Sequence, residues 1–366
     1  MIGVENVKEP NSAHTLCLRL ARSRGESALK ALRESQLLDR GFKISQNGDQ
    51  LLIPILRSPS EAELSALKEQ IGEFQMITAT PGRVPSRPRT IFEALKDRLP
   101  PHQLASLPRS IDIIGDVAVV EIPEELRGSE KLVGKAILET NRSLRTVLAK
   151  AGPISTKKRL RSHRVIAGSE ITETTHTEYG CIFRLDVTKV YFSPRLSFEH
   201  ERVASHVREN EIVVDMFAGV GPFAIHIAKR RKTAHVYAID VNDDAVRYLQ
   251  QNILLNRVND MVTAIKGDAR AIIQNRLVGK SDRVIMNLPA EAVSYVDAAC
   301  LGIRPEGGII HYYTFAEDPD PLERANKEFL EAVLKTGRKP EKDVSSRVVK
   351  GTSPHEWQVA IDCFIK

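Results

Sequence analysis

Residues 211–230 read EIVVDMFAGVGPFAIHIAKR, and this stretch predicts a strand, a glycine-rich turn and a helix in immediate succession. The apolar strand ends at Asp215, and Gly219 and Gly221 follow in the turn. Glycine lets the backbone approach a ligand closely, and Pro222 suits the first turn of a helix. Ligands of parallel α/β sheets bind at the carboxyl ends of the strands. The stretch therefore predicts the ligand-binding edge of such a sheet.

Further apolar runs follow, and each ends in Gly, Asp or Asn before an amphipathic segment. These runs are HVYAID (235–240), MVTAIKGD (261–268) and RVIMNLP (283–289). Near-continuous apolar strands separated by helices are typical of a parallel sheet covered by helices on both faces. We therefore predict that the fold class is α/β and that the C-terminal half is a Rossmann-like domain with a parallel core sheet.

Two smaller α/β units are predicted upstream of this domain. The first contains a strand, a helix and a hairpin signal at Asn47-Gly48, and the second alternates short strands with helices. The segment 78–90, which has three prolines and three arginines, is the best linker candidate between them. We expect domains at residues 1–78, 79–178 and 179–366.

Polar side chains stand at the ends of four successive predicted strands, namely Asp215, Asp240, Asp268 and Asn287. Each residue has an alternative role as a helix cap, but that role is less expected for all four together. An acid at the tip of the second strand, here Asp240, can accept hydrogen bonds from both ribose hydroxyls of an adenosine. The four residues together predict a site for an adenosine-containing cofactor.

The glycine pattern alone fits two cofactor classes. Gly219-x-Gly221-x-x-Ala224 formally matches a dinucleotide fingerprint. A dinucleotide needs the helix N-terminus free for its pyrophosphate, whereas S-adenosylmethionine has a cationic amino acid part that favours a carboxylate such as Asp215. A carboxylate at Asp268 can also accept a hydrogen bond from the adenine amino group. The residues therefore favour S-adenosylmethionine over NAD.

The composition excludes several classes of protein. The 366 residues are 42% hydrophobic and 27% charged, which is typical of a globular chain. The four cysteines form no CxxC pair, so we predict neither a zinc ribbon nor a redox dithiol, and no metal site. No apolar run approaches membrane-spanning length and the N-terminus lacks a signal-like apolar region, so we expect a cytoplasmic protein without a membrane partner.

The net charge of +6 is unevenly distributed along the chain. Between residues 81 and 176, Lys and Arg outnumber Asp and Glu by six, and the segment 141–164 contains eight basic residues and no acidic one. A solvated face is one interpretation, and a phosphate-facing surface is the other. The residues that we predict to bind RNA are Arg142, Arg145, Lys157, Lys158, Arg161 and Arg164.

Several motifs together resemble the archaeal and eukaryotic tRNA (guanine-N1)-methyltransferases that act at position 37. They are YFSPRL (191–196), DMFAGVGPF (215–223), AIDVN (238–242), GDAR (267–270), MNLP (286–289) and GGIIHYYT (307–314). The N-terminal run HTLCLRL is similar to the small first domain of an archaeal subtype. The resemblance implies a class I Rossmann-like methyltransferase domain that uses S-adenosylmethionine, preceded by two smaller α/β domains.

The resemblance also implies roles for individual residues. Glu199 corresponds to the general base, and Asn287 is the asparagine of the NLP motif and would hold the guanine edge. Arg159, or alternatively Arg161, would stabilise guanine O6. Glycines are frequent in relatives where this chain has Ser197-Phe198. The residues expected to bind the cofactor are Tyr191, Arg195, Asp215, Phe217, Gly219, Gly221, Asp240, Val241, Asn242, Asp268, Asn287 and Pro289.

The resulting prediction is a monomeric enzyme that makes 1-methylguanosine at position 37 of tRNA. Position 37 is stacked beside the anticodon, so the base must be extruded, and the first domain would check tRNA shape. One alternative is a bifunctional enzyme that also methylates a wyosine precursor. Another is a non-catalytic RNA-binding module on a methyltransferase scaffold, and a remoter one is an NAD-dependent oxidoreductase.

Overall fold

The structure is a computed structural model that describes residues 14–84, 88–155, 160–341 and 343–366. The chain divides into two compact units, residues 1–88 and 89–366. Within the described residues, no helix is long and apolar enough to cross a membrane. The boundary that we predicted near residue 178 falls inside the second unit, and the division into three domains stays a prediction.

The first unit is an antiparallel sheet packed against two helices. Its strand order is β2-β3-β1-β4, and the predicted turn at Asn47-Gly48 joins β2 to β3, with Gly48 at a φ of +61°. Such positive φ values are readily adopted by glycine. The elements are β1 (Thr15–Ala21), α1 (Gly25–Glu34), β2 (Ser45–Asn47), β3 (Gln50–Pro54), α2 (Glu61–Ile71) and β4 (Gln75–Ala79).

The second unit begins with a smaller mixed sheet in the order β5-β6-β7-β8, followed by an antiparallel hairpin of β9 and β10. Helix α5 packs its apolar face, including Val133 and Ile137, into the core of this sheet. The elements are α3 (Ile91–Leu95), α4 (Pro101–Ala105), β5 (Ile111–Ile114), β6 (Val117–Val120), α5 (Glu130–Thr140), β7 (Thr146–Ser155), β8 (Leu160–Gly168), β9 (Glu173–Glu178) and β10 (Cys181–Asp186).

The largest element of the second unit is a seven-stranded sheet in the order β13-β12-β11-β14-β15-β17-β16. The first five strands in that order are parallel, as predicted, and β17 and β16 extend the sheet in antiparallel fashion. Its strands are β11 (Ile212–Asp215), β12 (His235–Asp240), β13 (Val262–Lys266), β14 (Arg283–Met286), β15 (Gly308–Glu317), β16 (Ser345–Ser353) and β17 (Glu356–Ile365).

Helices cover both faces of this sheet. Successive residues of a strand point to opposite faces, so neighbouring residues pack against different helices. Val213 packs into one apolar core with residues of α6, α7 and α8, whereas Val214 packs into another with residues of α9, α10 and α11. The α/β class and the two covered faces are therefore confirmed. The helices are α6 (Ser197–His206), α7 (Pro222–Arg230), α8 (Asp243–Asn256), α9 (Ala269–Ile272), α10 (Val296–Gly302) and α11 (Pro321–Lys335).

Candidate cofactor site and adjoining cavity

The carboxyl ends of the parallel strands bring the predicted polar residues to one edge of the sheet. Asp215 and Asp240 are the last residues of β11 and β12, and Asn287 directly follows β14. Strand order reverses between β11 and β14, so this edge includes the topological switch point at which ligands of open α/β sheets bind.

The glycine-rich turn after β11 requires its glycines. Gly219 and Gly221 have φ values of +55° and +94°, in the left-handed region that side chains disfavour. A Cβ atom on Gly221 would lie 2.4 Å from Leu249 Cδ1, so α8 packs directly against the turn. Pro222 then begins α7, as predicted. The turn is thus held in one conformation by packing and by backbone preference.

Asp240 fastens this turn to the second strand. Its Oδ2 accepts a hydrogen bond from the Gly219 amide at 2.7 Å, and its Oδ1 accepts one from the Asn242 amide at 2.8 Å. A carboxylate offers about four acceptor positions, so two remain for ligand hydroxyls. Asp240 therefore orders the turn and still has the capacity to bind a ribose.

Asp215 is fully buried beside the same turn. Neither of its carboxylate oxygens has a side-chain partner or a hydrogen bond of good geometry among the described residues, and only the Phe217 backbone amide lies close enough to counter the effect of burial on its pKa. Burial raises its pKa to about 7, and Asp240 adds to this rise. A buried carboxylate without well-formed hydrogen bonds is costly, and a cationic ligand group would offset that cost. This arrangement fits the amino acid part of S-adenosylmethionine.

The remaining predicted cofactor residues fall into two kinds. Asn242 and Asp268 cap α8 and α9 by accepting hydrogen bonds from Asp244 N and Ala271 N. The capping role that we considered for Asp268 is therefore present, and Asn242 has one that we did not consider. Val241 is 49% exposed and offers an apolar surface at the strand tip, while Phe217 packs edge-on against Tyr295. Apolar surface of this kind suits an adenine ring.

A cavity of about 390 Å³ adjoins the strand edge within the second unit. Residues of the smaller sheet, of the segment 187–195 and of β15–β17 line it together with Asn287 and Pro289. Four predicted site residues, Tyr191, Arg195, Asn287 and Pro289, therefore share one cavity. The Asn287 Oδ1 accepts a hydrogen bond from Gln358 Nε2 at 3.4 Å, which restricts how the amide can turn.

The cavity also contains a half-buried cation, Lys350, that sequence reasoning missed. Lys350 Nζ donates a hydrogen bond to Ser193 Oγ at 3.2 Å. Burial, together with the neighbouring cations Arg195 and Lys150, lowers the pKa of Lys350 to about 8. Arg195 is engaged differently, because it donates to Asp112 Oδ1 at 2.6 Å and also to Ser110. Lys350 is thus the cavity cation best placed to meet a substrate anion.

Glu199 does not line this cavity. Its side chain is only 3% exposed, and its carboxylate accepts hydrogen bonds from Arg202, from Arg347 and, at 2.8 Å, from Tyr313. The Arg202 pairing is the one expected of a helix-surface glutamate, but the burial is not. Asp362 joins both arginines into the same network. Both oxygens of Glu199 are therefore occupied by donors from this chain.

The predicted basic surface is only partly described. Arg159, Lys157 and Lys158 lie outside the described residues, and the backbone of Arg161 belongs to β8. Arg142 is exposed. Two of the predicted RNA-binding residues have acidic partners that are distant in sequence, since Arg145 pairs with Asp116 at 3.2 Å and Arg164 with Glu130 at 3.1 Å. Acidic side chains from other parts of the chain therefore lie beside this segment in the folded structure.

Three known protein-domain families match successive parts of the chain. The TRM5/TYW2 methyltransferase domain matches residues 174–339, the TYW2 N-terminal domain residues 91–172 and the tRNA methyltransferase 5 N-terminal domain residues 17–63. The methyltransferase match covers both the cofactor edge and Glu199. Three successive matches along one chain indicate that the whole sequence is similar to this group of proteins.

One relative covers nearly all of the chain, and another covers three quarters of it. The tRNA (guanine(37)-N(1))-methyltransferase Trm5b of Pyrococcus abyssi is 39% identical over 95% of this chain and 98% of its own length. The tRNA 4-demethylwyosine(37)-methyltransferase Taw21 of Saccharolobus solfataricus is 31% identical and covers 75% of this chain and 98% of its own length. The second relative therefore leaves about a quarter of this chain unmatched.

Two solved structures share the fold. The structure of aTrm5 in complex with tRNALeu has a TM-score of 0.72 and 33% identity, and it covers 96% of this chain and 100% of its own. The crystal structure of Methanocaldococcus jannaschii TYW2 in complex with AdoMet has a TM-score of 0.53 and 30% identity, covering 70% of this chain and 99% of its own.

Proposed function

The chain belongs to the TRM5/TYW2 family of tRNA methyltransferases, and we propose that it transfers a methyl group from S-adenosylmethionine to N1 of guanosine 37 in tRNA. The observation that supports this most directly is that the cofactor edge and the cavity share residues. Asn287 follows β14 and lines the cavity, and the backbone oxygen of the cavity residue Tyr191 lies 3.7 Å from where a Cβ on Gly219 would be, so a base in the cavity would lie next to the cofactor. The cavity volume is within the roughly 300–1,000 Å³ range of small-molecule sites.

The chain's own residues would hold the cofactor through opposite charges and hydroxyl contacts. When bound, S-adenosylmethionine supplies an electrophilic methyl group on its sulfonium. The Asp215 carboxylate would pair with the ligand's ammonium group, and the free acceptor positions of Asp240 would receive the ribose hydroxyls. The fixed glycine-rich turn between them would keep the reactive end in place, which is a proximity effect.

The target base presents two chemical problems, and the proposed residues address both. Guanine N1 bears a proton, and its removal spreads negative charge to O6. We assign proton removal to Glu199 and stabilisation of O6 to a cation, which is Arg159, Arg161 or Lys350, with Asn287 holding the base edge. Glu199 does not line the cavity and donors already occupy both of its oxygens, so one of its hydrogen bonds must open and the carboxylate must become accessible from the cavity before it can accept the proton.

The partner we propose is tRNA that contains guanosine 37, bound by a monomer of the chain. The RNA-binding assignment rests on Arg142, Arg145, Lys157, Lys158, Arg161 and Arg164. Surface ion pairs such as those of Arg145 and Arg164 are each worth about 0–1 kcal/mol, so phosphate groups can replace the acidic partners at little cost.

The test is labelled methyl transfer to unmodified tRNA transcripts that differ only at position 37. We expect incorporation into the transcript with guanosine and none into the transcript with adenosine. Equal labelling of the two transcripts would contradict the assignment of the target nucleotide.

A second activity, methylation of a wyosine precursor at the same position, is supported by the similarity to Taw21. That relative is a 4-demethylwyosine methyltransferase and matches 75% of this chain. The same assay on tRNA that contains 4-demethylwyosine would separate the cases. Labelling of both tRNAs supports a bifunctional enzyme, and labelling of the guanosine tRNA alone supports the single activity.

A further inference from the structure

Three buried side chains outside the cofactor edge and the cavity converge on one point. Glu178 ends β9, His200 lies in α6 and His226 lies in α7. One ligand atom from each lies within 4.8 Å of the others, and each residue is more than nine-tenths buried. The three come from separate elements, so their spacing along the chain has no metal signature.

The hydrogen bonds centre on one carboxylate oxygen. Glu178 Oε1 lies 2.7 Å from His200 Nδ1 and 3.2 Å from His226 Nε2. The second oxygen, Oε2, is buried without a hydrogen-bond partner among the described residues, and His176 Nε2 is 3.8 Å away from it. Such an orphaned oxygen is costly unless a further group, such as a metal ion, interacts with the carboxylate.

The surroundings of His226 match those of a metal-bound histidine. Such histidines usually donate their other ring N–H to a carboxylate or carbonyl, which fixes the tautomer. Here His226 Nδ1 lies 3.3 Å from Glu201 Oε2, and Arg230 pairs with Glu201 at 2.5 Å. Burial alone would lower the pKa of His226, but hydrogen bonds to Cys181 and Glu178 raise this pKa to about 9, so without an ion the ring is protonated and Nε2 donates to Glu178. A metal ion would replace that proton, because histidine ligates metals through an unprotonated nitrogen.

The donor set has a clear chemical preference. Two imidazole nitrogens and one carboxylate oxygen suit zinc and similar first-row divalent ions rather than magnesium or calcium. Cys181, at the start of β10, is fully buried and interacts with His226, but its sulfur is not among the three converging ligand atoms. A rotation of this side chain toward the ion would supply a fourth, sulfur ligand. Burial of all four groups leaves no open position for substrate, as in structural sites.

We infer that Glu178, His200 and His226 form a buried zinc-type site, with Cys181 as its fourth ligand. The site joins the β9–β10 hairpin to α6, which contains Glu199, and to α7, which follows the glycine-rich turn. A bound ion would therefore stabilise the helices on which the proposed active site is built. This metal site does not depend on the methyl-transfer proposal.

The test is metal binding by the full-length protein, prepared without a histidine tag and stripped with a chelator. We expect about one equivalent of Zn²⁺ to be retained per chain after dialysis, and a rise in melting temperature on its addition. Co²⁺ should give the visible bands of a tetrahedral site and a thiolate charge-transfer band. Absence of both zinc retention and cobalt bands in the wild-type protein would overturn the site.

Variants locate the ion. His226→Gln and Glu178→Gln should lose zinc retention, and Cys181→Ser should lose only the charge-transfer band. His355→Gln is the matched control, because His355 is highly exposed and should leave binding unchanged. Retention that survives His226→Gln but disappears in His355→Gln would reveal surface binding and contradict the inference. If a core variant fails to fold, the wild-type titration still decides.

Discussion

Asp215 and Asp240 are both carboxylates at strand ends, but their surroundings differ. Asp240 accepts well-formed hydrogen bonds from two backbone N–H groups, whereas Asp215 has only the Phe217 amide nearby and no hydrogen bond of good geometry among the described residues. The pKa of Asp215 is raised from 3.8 to about 7, so the folded protein holds the proton of this carboxyl group more tightly than the unfolded chain does. The free energy of unfolding therefore contains the full contribution of the protonated carboxyl group below pH 3.8. That contribution disappears as the pH rises through about 7. The ionised carboxylate thus destabilises the free protein near neutral pH, and a bound cationic ligand group would offset this cost.

The first prediction concerns the pH dependence of cofactor binding. Between pH 5.5 and pH 7, affinity for S-adenosylmethionine should rise about tenfold, because the ionised fraction of Asp215 rises while the ligand ammonium stays protonated. Calorimetric titration across this range measures it. Adenosine, which lacks the ammonium group, should show a shallower pH dependence, because it would contact only Asp240, whose pKa burial also raises. A flat profile for S-adenosylmethionine, or a steep one that persists in Asp215→Asn, would contradict the assigned role.

The second prediction concerns Glu199. Glu199→Gln should lower turnover by about 10²–10⁴-fold, as expected for removal of a general base, while cofactor affinity is retained. Single-turnover methyl transfer and calorimetry measure the two quantities. Glu209→Gln is the control, because Glu209 is exposed and outside the site. Near-wild-type turnover of Glu199→Gln across the pH range would show that Glu199 is not the base.

At the level of elements, the glycine-rich turn and α8 form one packed structure. Gly221→Ala should lower the free energy of unfolding by roughly 1–3 kcal/mol more than Gly128→Ala, because only the first adds an atom against Leu249. Both glycines have positive φ values, +94° and +87°, so the backbone cost is shared. Urea unfolding measures the difference. Equal destabilisation of the two variants would mean that the packing against Leu249 is unimportant.

The strand ends could be predicted from sequence because the signal is local. Apolar runs that end in Asp215, Asp240 and Asn287 identify the edge without knowledge of the fold. The hairpin at Asn47-Gly48 is equally local, and it is confirmed. These elements depend on residues within a few positions of one another.

The rest of the candidate site depends on contacts between distant segments. Lys350 and Arg347 lie on β16, and they reach the site only because β17 pairs antiparallel with β15 and then with β16. Glu199 lies on a helix whose sequence looks like a solvated surface, and its burial is due to Tyr313 and Arg347. No local pattern encodes such pairings, so sequence reasoning could not find them.

For the molecule as a whole, charge is the clearest link between sequence and partner. Lys157→Glu with Lys158→Glu should weaken tRNA binding and flatten its salt dependence, by up to about 0.7–0.9 in log–log slope for each phosphate that the protein no longer neutralises. Filter binding at several salt concentrations measures both quantities. Lys327→Glu with Lys335→Glu makes the same change in net charge on exposed positions of α11. An unchanged slope in the first variant would favour the solvated-face interpretation.

The central claim is that this enzyme methylates N1 of guanosine 37 in tRNA. The most direct test is to react a tRNA transcript to completion, digest it, and identify the methylated nucleoside and its position by mass spectrometry. We predict 1-methylguanosine at position 37 alone. A different methylated nucleoside, or 1-methylguanosine at another position, would contradict the claim.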